Sequence, residues 1–123
     1  VILHRLHVLA NYRDSLLRAH AEEVAAMRGS VHNMRILRNL KRWLLRDERT
    51  VPEFQRAEIE KGLALSPRLH RIVAMRHELA ALWARSMASQ EELVAQLQDW
   101  CQRAEASGIA PLVEFSQRLR RYA

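Results

Sequence analysis

Six histidines among 123 residues raise the question of a metal site. Imidazole is the commonest metal ligand, and two ligands on one helix must stand three or four residues apart. His4 and His7 have that spacing, but no carboxylate or cysteine accompanies them. His70 and His77, with Glu78 beside them, lie two turns apart, and the roughly ten ångströms of helix rise between them is too long for one ion. His20 and His32 are isolated. The expectation is a set of solvated or interfacial histidines, with no metal or other cofactor held in this chain.

Other chemistries find little support. G-x-S-x-G, P-loop, G-x-G-x-x-G and Cys-His zinc patterns are all absent from the sequence, which removes the usual signatures of nucleophilic, nucleotide and zinc chemistry. Glu22 with Glu23, Asp47 with Glu48 and Glu91 with Glu92 are adjacent pairs. Neighbours on a helix point about 100 degrees apart, so these read as solvated charges or helix N-terminal partners rather than catalytic dyads. The single cysteine, Cys101, sits between Trp100 and Gln102 and reads as a small buried hydrophobe, which fits a reducing compartment. No catalytic residue is assigned.

Charge is the stronger signal. The net charge is +6, and it is uneven: residues 1–49 hold ten Lys/Arg against five Asp/Glu, residues 50–123 ten against nine. Within residues 35–46 there are five cations and no acid. Arg35, Arg38, Arg42 and Arg46 follow helical spacing with Lys41 beside them, so a helix would line them up as one anion-binding stripe. Three roles compete for it. Arginine stems can simply cover apolar surface; the cations can lie against anionic lipid headgroups at about 1 kcal/mol each; or they can meet nucleic-acid phosphate, although no interleaved aromatics or helix-turn-helix glycine favour a specific reader.

The elements that must position this stripe are helices. Only three glycines and three prolines occur among abundant Ala, Leu, Arg, Glu and Gln, the vocabulary of helix formers. Ile2, Leu6, Leu9, Leu16, Val24 and Met27 predict one long amphipathic helix over 2–28, ended by Gly29 and Ser30. Met34, Leu37, Leu40 and Leu44 predict a second over 31–46. A capping box of Thr50 with Glu53 predicts a third over 52–65, with Phe54, Ala57 and Leu63 inward. Ser66 and Pro67 start a fourth carrying Leu69, Ile72, Val73, Leu79, Leu82 and Trp83. Ser89 with Glu92 caps a fifth with Leu93, Leu97, Trp100, Cys101 and Ala104 inward, which Gly108 ends. Pro111 opens a sixth along Leu112, Phe115, Leu119 and Tyr122.

The fold class expected is therefore all-α, a compact bundle of about six helices forming a single domain over 1–123. The longest apolar run, Leu79 to Ala84, is far short of the ~20 residues that span a bilayer. The chain opens on Val1, already inside an apolar helical pattern and without a signal-peptide pattern, which reads as a fragment of a longer polypeptide. The long first helix could also pair with a copy of itself through Leu6, Leu9 and Leu16, giving a homodimer.

Four strings bear a family resemblance. The run Trp100-Cys101-Gln102-Arg103-Ala104-Glu105-Ala106-Ser107-Gly108-Ile109, followed by Leu112, Phe115, Leu119, Arg120 and Tyr122, resembles the C-terminal end of bacterial membrane acyl-lipid desaturases of the di-iron type. His4-Arg5-Leu6-His7-Val8-Leu9-Ala10-Asn11-Tyr12-Arg13, Lys41-Arg42-Trp43-Leu44-Leu45-Arg46-Asp47-Glu48 and Leu82-Trp83-Ala84-Arg85-Ser86 look like counterparts at similar separations. The resemblance implies a parent oxidoreductase of lipid metabolism, with a di-iron centre held by histidine boxes next to transmembrane helices. No such box occurs here, so no catalytic residue carries over. On this reading the chain is a non-catalytic C-terminal domain at the cytoplasmic face of the inner membrane. It would act in docking against the rest of the enzyme, in positioning on lipid headgroups, or in self-association.

A second resemblance is shorter. Ala104-Glu105-Ala106-Ser107-Gly108-Ile109-Ala110-Pro111-Leu112, with Leu119-Arg120-Arg121 after it, is similar to the C-terminal region of bacterial insertion-sequence transposases. That alternative implies a helical accessory region with DNA phosphate against the Arg35 to Arg46 stripe. The shared string also has a plain folding role, since Gly108 can cap one helix and Pro111 start the next while Ile109, Leu112 and Phe115 pack inward.

Overall fold

Helix-forming residues punctuated by serine, proline and glycine give a chain of helices joined by short turns. The computed structural model describes residues 5–46, 48–85 and 89–121. Its elements run α1 (Arg5–Ala26), α2 (Val31–Asn39), α3 (Lys41–Leu44), a 3-10 turn (Glu48–Thr50), α4 (Glu53–Leu63), α5 (Pro67–Arg85), α6 (Gln90–Ala106) and α7 (Ala110–Arg120). No strand occurs among the described residues, so the all-α class holds. The long first helix holds too, and α2 with α3 correspond to the one helix expected over 31–46.

Serine hydroxyls start three of the helices by accepting an otherwise unbonded first-turn N–H. Ser30 Oγ accepts from Asn33 N–H at 3.3 Å, Ser66 Oγ from Leu69 N–H at 3.1 Å, and Ser89 Oγ from Glu92 N–H at 3.0 Å. The Thr50–Glu53 capping box does not form: Thr50 closes the 3-10 turn, and Pro52 takes the N-cap of α4 without a side-chain bond. Between α6 and α7 the chain reverses at Gly108, whose φ of +72° lies in the left-handed region that favours glycine. Ile109 is buried directly after it, and Pro111 sits in the first turn of α7.

The core is organised around α5, which packs against α1, α4 and α6, while α7 bridges α1 and α6. Tyr12 of α1, Trp100 of α6 and Phe115 of α7 meet edge to face, with centroids 4.8 to 6.0 Å apart. Their polar tips are satisfied by α5, because Tyr12 Oη donates to Ile72 O at 2.5 Å and Trp100 Nε1 donates to Met75 O at 3.0 Å. Burial pushes the Tyr12 phenol far above its ordinary pKa, with the Arg76 charge opposing. Leu69, Ile72, Leu79, Leu97 and Leu112 close around the trio with no exposed surface or almost none. Buried His20 bonds through Nε2 to Leu37 O at 2.7 Å, joining α1 to α2.

Several expected inward faces are rotated. On α1 the buried residues are Val8, Tyr12, Ser15, Leu16, Ala19 and His20, a helical series that mixes small, polar and aromatic residues. Leu6 is 64% exposed and Leu9 only partly packed. Self-pairing through Leu6, Leu9 and Leu16 fails because Leu16 is fully buried inside its own chain. On α4 the inward residues are Gln55, Ile59, Gly62 and Leu63, leaving Phe54 75% exposed and Ala57 on the surface. Trp83 is half-buried rather than central. Ile2, His4 and Tyr122 lie outside the described residues.

The break between α2 and α3 has a local cause. Leu40 N–H bonds to Leu37 O, three residues back, at 3.1 Å, a 3-10 closure that tightens the turn. Its side chain packs onto the α4 backbone at Gly62, where a Cβ would lie 2.6 Å from Leu40 Cδ1. Far from this corner, ion pairs lace the other helices. Arg18 pairs with Glu114, Arg103 with Glu78 at 2.5 Å and with Asp99 at 3.1 Å, and Arg120 with Glu105 at 2.6 Å. The Arg120 and Ser116 hydrogen bonds hold the Glu105 carboxyl below the usual carboxylate range.

These contacts set three expectations for denaturant or thermal unfolding. Trp100→Ala costs ~3–5 kcal/mol and removes its bond to α5, while Trp83→Ala costs about half as much because less of the ring leaves water. Gly62→Ala gains about 1 kcal/mol in helix propensity but overpacks Leu40 by ~1–3 kcal/mol; a net loss of stability is expected, and a net gain would show that Leu40 is not wedged there. Because the folded-state pKa of Glu105 is lowered, its contribution is present above the ordinary carboxylate pKa and lost as pH falls through the folded value. Glu105→Gln should therefore flatten the acid limb of a stability–pH profile.

Candidate nucleic-acid interface

All five stripe residues reach solvent. Arg35, Arg38, Lys41, Arg42 and Arg46 are exposed, and among the described residues none makes an ion pair with a carboxylate. Their only described side-chain partners are within α2 and α3 or just beyond. Arg38 Nη2 donates to Met34 Sδ at 3.4 Å, and the Arg46 guanidinium lies 4.9 Å from the centre of the Trp43 ring. A cation over an indole face is attracted by the ring quadrupole.

The helix break at Leu40 divides these residues. Arg38, Lys41 and Arg42 line one open cleft together with Asn39, Leu45 and two residues of α1, Arg13 and Leu17. The face that gathers is thus 38, 41, 42 and 45, a run of i, i+3, i+4 and i+7 positions that neighbour one another on a helix. Arg46 turns away to a second hollow lined by Trp43, Val51, Arg56, Glu60, His70 and His77, among others. Arg35 lines neither, so the five do not act as one straight row. A third hollow, between Ile36, Arg42, Trp43, Glu58 and Ile59, carries an acid.

Two residues that line these hollows were not legible as part of the stripe. Arg13 is a single arginine on the outer flank of a distant helix, and only the packing of α1 against α2 brings it to the cleft. Trp43 places an aromatic ring beside the stripe, under the Arg46 guanidinium; its position between Arg42 and Arg46 is the signal in the sequence.

The histidines do not gather. His7, His32 and His70 are exposed, His20 is buried against α2, and His70 and His77 share only the wide second hollow. Among the described residues no group of three or more His, Cys, Asp or Glu could hold a metal ion. Of the adjacent acids, Glu22 pairs with Arg18 at 3.7 Å, Glu23 accepts from Ser66 at 2.5 Å, and Glu91 and Glu92 occupy the first turn of α6. Cys101 is buried beside Ser116, and burial raises its thiol pKa. These groups are used for packing and capping.

Comparison with known proteins decides between the two resemblances. The family model for ISL3-type DDE transposases, described as transposase, matches residues 1–123. The transposase for insertion sequence element IS1001 of Bordetella parapertussis is 27% identical over 123 residues, covering 99% of this chain and 30% of that protein. The chain thus spans about 30% of the length of the curated relative it matches. No solved structure matches.

The desaturase resemblance is overturned by these matches. With it fall the oxidoreductase parent, the link to lipid metabolism, the partnership with a membrane enzyme and lipid headgroups, and the placement at the cytoplasmic face of the inner membrane. It was also the sole support for a di-iron centre in the parent. No helix of the described residues is long and apolar enough to cross a membrane. The strings that suggested a desaturase contain Tyr12, Leu44, Leu82, Trp100 and Phe115, which are buried and report on helix packing rather than on chemistry. The family model covers these strings and the first fifty residues alike. This chain belongs to the ISL3-type transposase family.

Proposed function

We propose that the chain is the helical part of an insertion-sequence transposase that holds DNA by its sugar-phosphate backbone, with α2 and α3 as the contact face. One observation carries this reading. Arg35, Arg38, Lys41, Arg42 and Arg46 are all exposed and lack carboxylate partners among the described residues, whereas Arg18, Arg103 and Arg120 of α1, α6 and α7 are each paired with acids. Unneutralised cations close together on two short helices create a field that draws polyanions and releases their counterions on binding.

Membership of a transposase family supports DNA as that polyanion. The arrangement favours backbone contact over base reading. Phosphate contacts fix position and orientation but carry no sequence information directly, and long arginine and lysine side chains on short helices suit that task. The name of the IS1001 relative gives that protein's role as transposase of an insertion sequence; for this chain, the family together with the charged face supports DNA as partner. No catalytic role is proposed for any of its residues.

The reading is tested by anisotropy with a labelled duplex across a salt series. Binding should weaken steeply with salt, the logarithm of the constant falling by about 0.9 per phosphate contacted for each unit of log salt. Arg38→Glu with Arg42→Glu should weaken binding on the order of a hundredfold at low salt, with the unfolding midpoint little changed because both side chains are exposed. Absence of salt-dependent duplex binding by the wild-type chain would refute the proposal.

A further inference from the structure

From the cleft between α1 and the α2–α3 corner we infer a discrete site for one phosphodiester group, in which Arg13 acts across from Arg38, Lys41 and Arg42. This rests on the reading of the chain as a DNA-binding transposase region and adds a particular seat to it.

Three features single out this cleft. Its lining is Arg13, Leu17, Arg38, Asn39, Lys41, Arg42 and Leu45, four cations and no acid. The neighbouring hollows contain Glu60 or Glu58, and Arg42 and Asn39 border the Glu58 hollow as well as this cleft. The four cations also come from three helices that the fold brings together, α1 on one side and α2 with α3 on the other. Like charges converging on one concavity repel, and an anion seated among them relieves that repulsion.

The third feature is the lining beneath the charges. Leu17 and Leu45 are half-buried and form an apolar floor, and Asn39 supplies the one uncharged polar side chain. A hydrated inorganic ion gains nothing from leucine methyl groups. A phosphodiester carries its charge on two oxygens and is flanked by deoxyribose carbons, so it can present oxygens to the guanidinium and ammonium groups and its sugar to the floor. Arginine forks match phosphate oxygens in pairs, and the Asn39 amide can donate to an ester oxygen.

Residues 38, 41, 42 and 45 keep one-face helical spacing across the tight turn at Leu40, which packs against Gly62, and the cleft sets them beside Arg13 and Leu17 of α1. His20, bonded to Leu37 O, ties α1 to α2 a few residues before the turn.

The experiment separates this site from the general DNA contact. Duplex binding by the wild-type chain is compared with Arg13→Ala and with Arg121→Ala, an equal change of net charge at an exposed residue after α7. Arg13→Ala should weaken binding about tenfold and reduce the salt slope by about one, while Arg121→Ala should leave the slope unchanged. In parallel, a dithymidine phosphodiester titrated into labelled protein should shift the backbone amides of Asn39 to Leu45 in the wild type and not in Arg13→Ala. Duplex binding whose slope is indifferent to Arg13→Ala, or equally sensitive to Arg121→Ala, overturns the seat and leaves the general DNA contact standing. Dinucleotide shifts at those amides without duplex binding would support the seat while refuting the wider role.

Discussion

The structure depends on the meeting of Tyr12, Trp100 and Phe115 at the side of α5. Edge-to-face aromatic pairs contribute beyond the area they bury, but here the directional constraint matters more. Two of the three rings carry a donor that has to be satisfied once buried, and both donors reach carbonyl oxygens of α5, at Ile72 and Met75. Those oxygens lie within α5, so each takes a side-chain donor on a lone pair that the helix leaves available. The rings thus fix the rotation of α1 and α6 as well as their distance from α5. Once α1 is fixed in rotation, its outer flank, with Arg13 and Leu17, faces the α2–α3 corner.

A second constraint acts at the periphery and shapes the charged face. Gly62 permits α4 to come close enough for Leu40 to lie on its backbone, and Leu40 in turn sits at the one-residue break between α2 and α3. Helical spacing puts residues 38, 41, 42 and 45 on one side, toward α1. Arg38, Lys41 and Arg42 gather there, while Arg46 folds back over Trp43. A small residue on α4, carrying no charge itself, thereby seats Leu40 between the two short helices that carry the cations.

The legible part of the fold was the part written in local chemistry. Ser66 with Pro67, Ser89 with Glu92, and Gly108 with Pro111 mark helix ends through bonds made within a few residues, and each is found where those residues stand. The inward faces of α5, α6 and α7 were legible because they are lined by large aliphatic and aromatic side chains. The face of α1 was not, because it is lined by Ser15, Ala19 and His20 as well as Val8, Tyr12 and Leu16. A pattern built on leucines alone selects Leu6, which is exposed. Phe54 misled for a related reason: the side of α4 that turns inward is set by the small Gly62, which hydropathy does not weight. The cations of α2 and α3 were visible in the sequence, but their division by Leu40 and their completion by Arg13 are tertiary facts.

The family assignment turns on a similar distinction between inside and outside. The string from Trp100 to Leu112 resembles two unrelated families because most of its distinctive residues are committed to folding. Trp100, Cys101, Ala104, Ile109, Pro111 and Leu112 are buried, and Gly108 takes a positive φ. Any helix–turn–helix pair that ends on glycine and restarts on proline meets the same steric demands, so similarity there reports a solved packing problem. Function must be sought among side chains that the core does not require. In this chain those include the exposed cations Arg13, Arg38, Lys41 and Arg42: burial cannot account for them, and carboxylates like those that neutralise Arg18, Arg103 and Arg120 are absent from the lining of their cleft. A surface kept basic against its own electrostatic repulsion favours an anionic occupant, and under the function proposed above that occupant is the backbone of DNA.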